Sequence, residues 1–198
     1  QETAYRLDAP HAFTKIRQQA VLTESGPITD ELSFYARQRA WYDAVYDLAD
    51  NFPKSAERGL EWEYELRETY LDYSAGNLDI RAGKQQIVWG ESLGLFFADV
   101  VNAKDLREYI LPDFEWIRIP QWGLDAEWSQ EDFHAEFVWL PILQFNRLAP
   151  SGAEFEFPYP VPAGVPFTSV DPSTPPSSFN NGEAGGRLSY LVDGWDLS

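Results

Sequence analysis

The chain has 198 residues and a net charge of −17, from 15 Lys+Arg against 32 Asp+Glu, and is 44% hydrophobic and 16% aromatic. That is long enough for a substantial core and too aromatic for a disordered acidic tail, and the acidic balance points away from nucleic acid. With no cysteine and only His11 and His134, disulfide scaffolds, thiolate zinc sites and cysteine nucleophiles are excluded, and no cofactor is expected. No stretch approaches the roughly 20 apolar residues of a membrane-spanning helix. Residues 1–8 hold no apolar leader and methionine is absent even at position 1, so the chain reads as a processed product whose export signal is gone.

Along the chain, apolar and polar residues alternate with period 2, the mark of strands with one greasy and one polar face. A weaker strand falls at about 13–23. The clearest runs from 32 to 48: Leu32, Phe34, Ala36, Ala40, Tyr42, Ala44, Tyr46 and Leu48 share one face, and Ser33, Arg37, Arg39, Asp43 and Asp47 the other. Tyr35, Trp41 and Val45 are out of phase on the polar side. Leu60, Trp62, Tyr64 and Leu66 then oppose Glu61, Glu63, Glu65 and Arg67, and Leu78, Ile80 and Ala82 oppose Asp79 and Arg81. Trp122, Leu124, Ala126 and Trp128 oppose Asp125 and Glu127, and Phe133, Ala135, Phe137 and Trp139 oppose His134 and Glu136. A last weak strand spans about 187–197, making about seven strands.

Connections alternate between short (25–30, 74–77, 129–132) and long (50–59, 90–120, 141–186). A meander with short turns at one end and long loops at the other is how transmembrane barrels are built. An antiparallel sandwich has the same alternation, and its charge ladders would face solvent. The 90–120 connection is rich in apolar residues, among them Phe96, Phe97, Val100, Val101, Leu106 and Tyr109. Asn102 is placed to cap a short helix near 103–110, with Asp105 in its first turn. The segment is expected to fold into or over the barrel mouth, either as a small core that pins it or as an apolar ligand site and gate. Nine of the 14 prolines fall between Pro141 and Pro176, which favours a stiff extended loop.

Three stretches, Gly83-Lys-Gln-Gln-Ile-Val-Trp-Gly-Glu91, Asp99-Val-Val-Asn-Ala-Lys-Asp-Leu-Arg-Glu108 and Ile117-Arg-Ile-Pro-Gln-Trp122, resemble the signature of the family of domain of unknown function 1302. The resemblance implies a Gram-negative outer-membrane β-barrel, larger than this chain, that moves hydrophobic or lipid-like compounds beside an inner-membrane transporter system; it implies no catalytic residues. The expected fold is therefore all-β, an antiparallel meander forming part of a transmembrane barrel, with residues 1–198 one incomplete domain. Its partners would be outer-membrane lipid and a small hydrophobic substrate, and the lumen would carry Arg37, Arg39, Glu61, Glu63, Glu65, Arg67, Asp79, Arg81, Asp125, Glu127, His134 and Glu136.

Two other classes stand beside this. A soluble secreted sandwich would use the same aromatics to bind carbohydrate or another ligand. A membrane hydrolase would use Glu63 with Glu65 or His134 with Glu136, but no nucleophile elbow, phosphate loop or zinc signature is present, so no enzyme is expected. Asp47, Asp50 and Asn51 are a weak calcium candidate whose spacing fits no EF-hand loop.

Overall fold

Alternation of apolar and charged residues produces a meander of antiparallel strands. In the computed structural model, which describes residues 1–8, 11–49, 52–88, 101–109, 111–156, 174–176, 178–192 and 195–197, the elements follow one another in this order. First come β1 (Glu2–Arg6), β2 (Ala12–Pro27), β3 (Leu32–Asp43), α1 (Val45–Leu48), α2 (Lys54–Leu60), β4 (Trp62–Ala75) and β5 (Leu78–Gln85). Then come β6 (Ala103–Leu106), α3 (Phe114–Ile117), β7 (Arg118–Ile119), β8 (Gln121–Gln130), β9 (Phe133–Ile142), β10 (Arg147–Leu148), β11 (Glu183–Val192) and β12 (Trp195–Leu197).

Nine strands form one sheet in the order β1-β2-β3-β4-β5-β8-β9-β11-β12, every neighbouring pair antiparallel. The sheet is open, with β1 and β12 at its edges. A second, three-stranded sheet, β10-β6-β7, is built from the long connections. Tight turns join β4 to β5 and β8 to β9, helped by Gly76 and Glu131 in left-handed conformation. Gly83, at φ +141°, faces Gly123 across β5 and β8; a Cβ on Gly83 would lie 2.3 Å from Thr69 O, so the close approach of β4 requires glycine.

Register puts Arg39 beside Glu65, Arg81 beside Asp72 and Asp125, and Glu127 beside Glu136, all on one face. A bulge between Arg37 and Gln38 brings Arg67 onto this face as well. The other face is open and mainly apolar, with Gln18, Glu24 and Gln38 as polar exceptions. Toward the long connections it carries Tyr42, Trp62, Tyr64, Trp122 and Trp139, and toward the short turns Phe34, Tyr73, Trp128 and Tyr190, all exposed. Between the two rows lie Ala36, Ala40, Leu71, Ala82, Leu124 and Ala126. The charged face is the covered one: residues 101–109, 111–119 and 143–156 pack over it. Burial there leaves Arg67 1% exposed and Glu65 6%, while Trp62 on the open face is 67% exposed.

Four expectations are corrected. The short helix expected near 103–110 is not formed by its described residues, 103–109: Ala103–Leu106 pairs as strand β6 with β7 and β10, and Tyr109 turns at φ 55°. Asn102 does not cap a helix; its Oδ1 accepts from Ile87 N at 3.3 Å and its Nδ2 donates to Ile87 O at 2.7 Å. The strand from 32 ends at Asp43, because the Asp43 carboxylate accepts from Val45 N and Ile16 N and turns the chain into α1. The sheet has nine strands rather than about seven, since residues 2–6 pair with β2 and the C-terminal run divides into β11 and β12.

Candidate functional site: the covered charged face

Each strand of the sheet contributes side chains at every second residue, so the charged positions of neighbouring strands meet in rows. Arg39 Nη2 lies 3.1 Å from Glu65 Oε2, and Arg67 Nη1 lies 3.3 Å from Glu65 Oε1. Arg81 grips Asp72 with two bonds of 2.7 and 3.0 Å. Farther along, His134 Nε2 is 3.0 Å from Glu127, and Arg187 is 2.9 Å from Glu136. Asp125, Glu127 and Glu136 bring carboxylate oxygens within 4.8 Å of one another. Asp79 accepts from Ser74 Oγ at the β4–β5 turn, and Glu61 ends α2 rather than entering β4.

The cover is fixed to this face mainly by ions and backbone oxygens. Arg67 donates to the carbonyls of Glu115 (2.6 Å) and Arg118 (2.7 Å), which anchors α3 from below. Arg37 pairs with the Glu115 carboxylate. Arg107 lies 2.7 Å from Glu63 and 2.6 Å from Asp105, and Arg147 bonds Glu63 at 2.8 Å. Glu108 takes both Lys15 and Arg17 from β2. Arg6 pairs with Glu154. Charged groups removed from water this far are tolerable only when paired, and breaking one member costs more than the pair contributes.

Two indoles organise the cations. The Trp116 ring centroid is 4.7, 4.5 and 5.3 Å from the guanidinium carbons of Arg37, Arg39 and Arg67. Trp41 is 4.4 Å from that of Arg39 and 5.5 Å from those of Arg17 and Arg107. Each ring presents its negative face to planar cations that are weakly hydrated, an arrangement that strengthens as water is excluded. Between β2, β3 and the cover lies a cavity of about 260 Å³, lined by Lys15, Arg17, Arg39, Trp41, Arg107, Glu108, Trp116 and neighbours.

Electrostatics within the cover follows from these contacts. Burial alone would raise the Asp105 carboxyl, but the hydrogen bonds and charge of Arg107 overcome it and hold Asp105 below the usual range. Glu108 behaves alike: burial opposes ionisation, and Arg17 and Lys15 together lower it. Within α1, burial against Phe52 and its neighbours pushes the Tyr46 hydroxyl up to about 12, so it stays neutral.

The residues expected to line the polar face thus occupy one face, apart from Glu61. Of those expected in a gate, Phe96, Phe97 and Val100 lie outside the described residues. Val101 packs on the Ile87, Val138 and Leu140 cluster, Leu106 is half-buried, and Tyr109 donates to Glu156 O and meets Phe155 edge-on. Asp50 and Asn51 also lie outside the described residues, and Asp47 accepts from Tyr42. Sequence reasoning missed Lys15, Arg17, Asp105, Arg107, Glu115, Trp116 and Arg187. Trp41 had a signal: a large aromatic out of phase in a charged row.

An antiparallel meander with a buried ionic face and an open aromatic one defines an inverted sheet, polar inside and apolar outside. The chain belongs to the family described as Protein of unknown function (DUF1302), whose model matches residues 14–195. No curated protein and no solved structure matches it.

Proposed function

We propose that the sheet is part of an outer-membrane β-barrel of a Gram-negative bacterium that passes small, hydrophobic or lipid-like compounds. The observation that carries this reading is the exposed, mainly apolar face, with aromatic rows at both ends and chiefly small or aliphatic residues between, Gln38 and Glu24 being the polar exceptions there. Lipid-facing barrel surfaces have that layout, an apolar band of about 25 Å between aromatic girdles, and a wet, charged interior. In a soluble sandwich the apolar face would be buried against a second sheet, the reverse of what is seen here. An open sheet edge is costly in lipid, so this reading requires strands that pair with β1 and β12, from further chain or from another copy.

In this reading the 101–119 and 143–156 segments lie inside the barrel and narrow the path. Transport needs no catalytic group, and the ion-paired carboxylates of the charged face serve as a polar wall. Fractionation of the protein from a Gram-negative host, with mobility on a gel before and after boiling, tests this. Recovery from the outer membrane with a shift on boiling is the expected result. Recovery as a soluble species that runs identically either way overturns it.

A further inference from the structure

We propose that the cover is a strap that unlatches at one end, its tips releasing from β1 and β2 while its roots stay docked over β4 and β9. The tips are residues 108–109, 111–113 and 154–156; the roots are 101–107, 114–119 and 143–150. Chain order places the roots, because one segment stands between β5 and β8 and the other follows β9, on the far side of the sheet from β1. Val101 and Leu143 pack on the buried Ile87, Val138 and Leu140, and Asn102 exchanges two hydrogen bonds with the Ile87 backbone. Arg67 holds the carbonyls of Glu115 and Arg118, and Arg107 and Arg147 both pair with Glu63 of β4.

The tips are held differently. Among the described residues, three ion pairs join them to β1 and β2: Glu108 with Lys15, Glu108 with Arg17 at 2.5 Å, and Glu154 with Arg6. Tyr109 couples the two tips, donating to Glu156 O and meeting Phe155 edge-on, so they move together. Leu111, Pro112 and Asp113 stand over the cavity of about 260 Å³ rather than over packed side chains, and Leu111 is 67% exposed. Water acts oppositely on the two ends. Separated ions regain hydration, so parting the tips from the sheet costs little, whereas exposing the aliphatic root cluster is not repaid. A segment with few buried apolar contacts opens at a free energy well below that of global unfolding, and the tips, not the roots, meet that condition.

The release stands on these contacts, and its use as a gate rests on the transport reading. Because the chain has no cysteine, paired cysteine substitutions carry nitroxide labels at defined places. Pulsed dipolar spectroscopy of the full-length protein, in whichever of buffer or detergent keeps it monodisperse, then reads two distances. Leu111→Cys with Gln18→Cys spans tip to β2, and Leu148→Cys with Gln18→Cys spans root to β2. Glu108→Gln, which takes the anion from both Lys15 and Arg17, should raise the ratio of long to short tip distances about tenfold and leave the root distance unchanged. Glu108→Gln with Glu154→Gln should make the long tip distance the major one. Lys15→Met loosens the same latch from the sheet side and serves if Glu108→Gln does not fold. A tip distance that stays single and unchanged in the folded variants, or a root distance that lengthens with it, overturns the proposal. A soluble protein whose tips release in this way would overturn the transport reading and leave the strap intact.

Discussion

Replacing Leu71 by arginine separates a lipid-facing sheet from a water-facing one. Leu71 lies on the open face of β4, 46% exposed, between Phe34 of β3 and Ala82 of β5. It lies two residues, about 7 Å, from Tyr73 of the short-turn row and seven residues, about 24 Å, from Tyr64 of the other, so it sits inside the apolar band on its short-turn side. An arginine on the lipid face costs about 2–4 kcal/mol at the bilayer midplane and about 0–1 kcal/mol near the interface, so about 1–2 kcal/mol is expected at this depth. On a face bathed in water the same change falls within about 0.5 kcal/mol of neutral. Leu48→Arg, at the exposed end of α1 and outside the strands, is the control and should be near neutral in both cases. Urea unfolding of protein folded into lipid vesicles, followed by tryptophan emission, measures both variants. A Leu71→Arg protein as stable as Leu48→Arg would refute the reasoning.

Arg67→Ala should destabilise by about 3–5 kcal/mol in the same assay, because it leaves buried Glu65 with Arg39 as its one cation and takes the donors from the carbonyls of Glu115 and Arg118. Gly83→Ala should destabilise by roughly 2–4 kcal/mol, since the left-handed backbone and the Thr69 carbonyl leave a Cβ no room. Asp105 and Glu108 have folded-state values below their unfolded ones, so their stabilisation is complete above about pH 4.5 and is lost as pH falls through the lowered values. Proteolysis of the 101–119 segment should accelerate in acid, and Asp105→Asn should flatten that dependence; a rate independent of pH down to 3 would count against the ionic anchoring.

The strands were legible because period-2 alternation depends only on side-chain geometry: Trp122 to Trp128 and Phe133 to Trp139 fall in β8 and β9 as expected. Which face is buried was not legible, since a row such as Glu61, Glu63 and Glu65 is equally suited to solvent or to an ion-paired interior. The difference is made by partners far away in sequence, Arg107 and Arg147 for Glu63, and Arg39 for Glu65. The same distance hid β6. Asn102 and Asp105 have the local look of a cap and a first turn, but Ile87 and Arg107 occupy their side chains. Trp116 gave no local sign of its role, because the three guanidiniums around it come from β3 and β4.

The grip of Arg67 on α3 has an evolutionary corollary. Its two bonds to the cover reach carbonyl oxygens, which every residue possesses, so that attachment places no demand on the side chains at positions 115 and 118. The two Arg67 bonds would therefore survive a substitution at either position, although a change at 115 gives up the ion pair of its carboxylate with Arg37. One fixed arginine can therefore hold a succession of differently surfaced inserts, letting the chemistry above the sheet diversify without the sheet itself being redesigned.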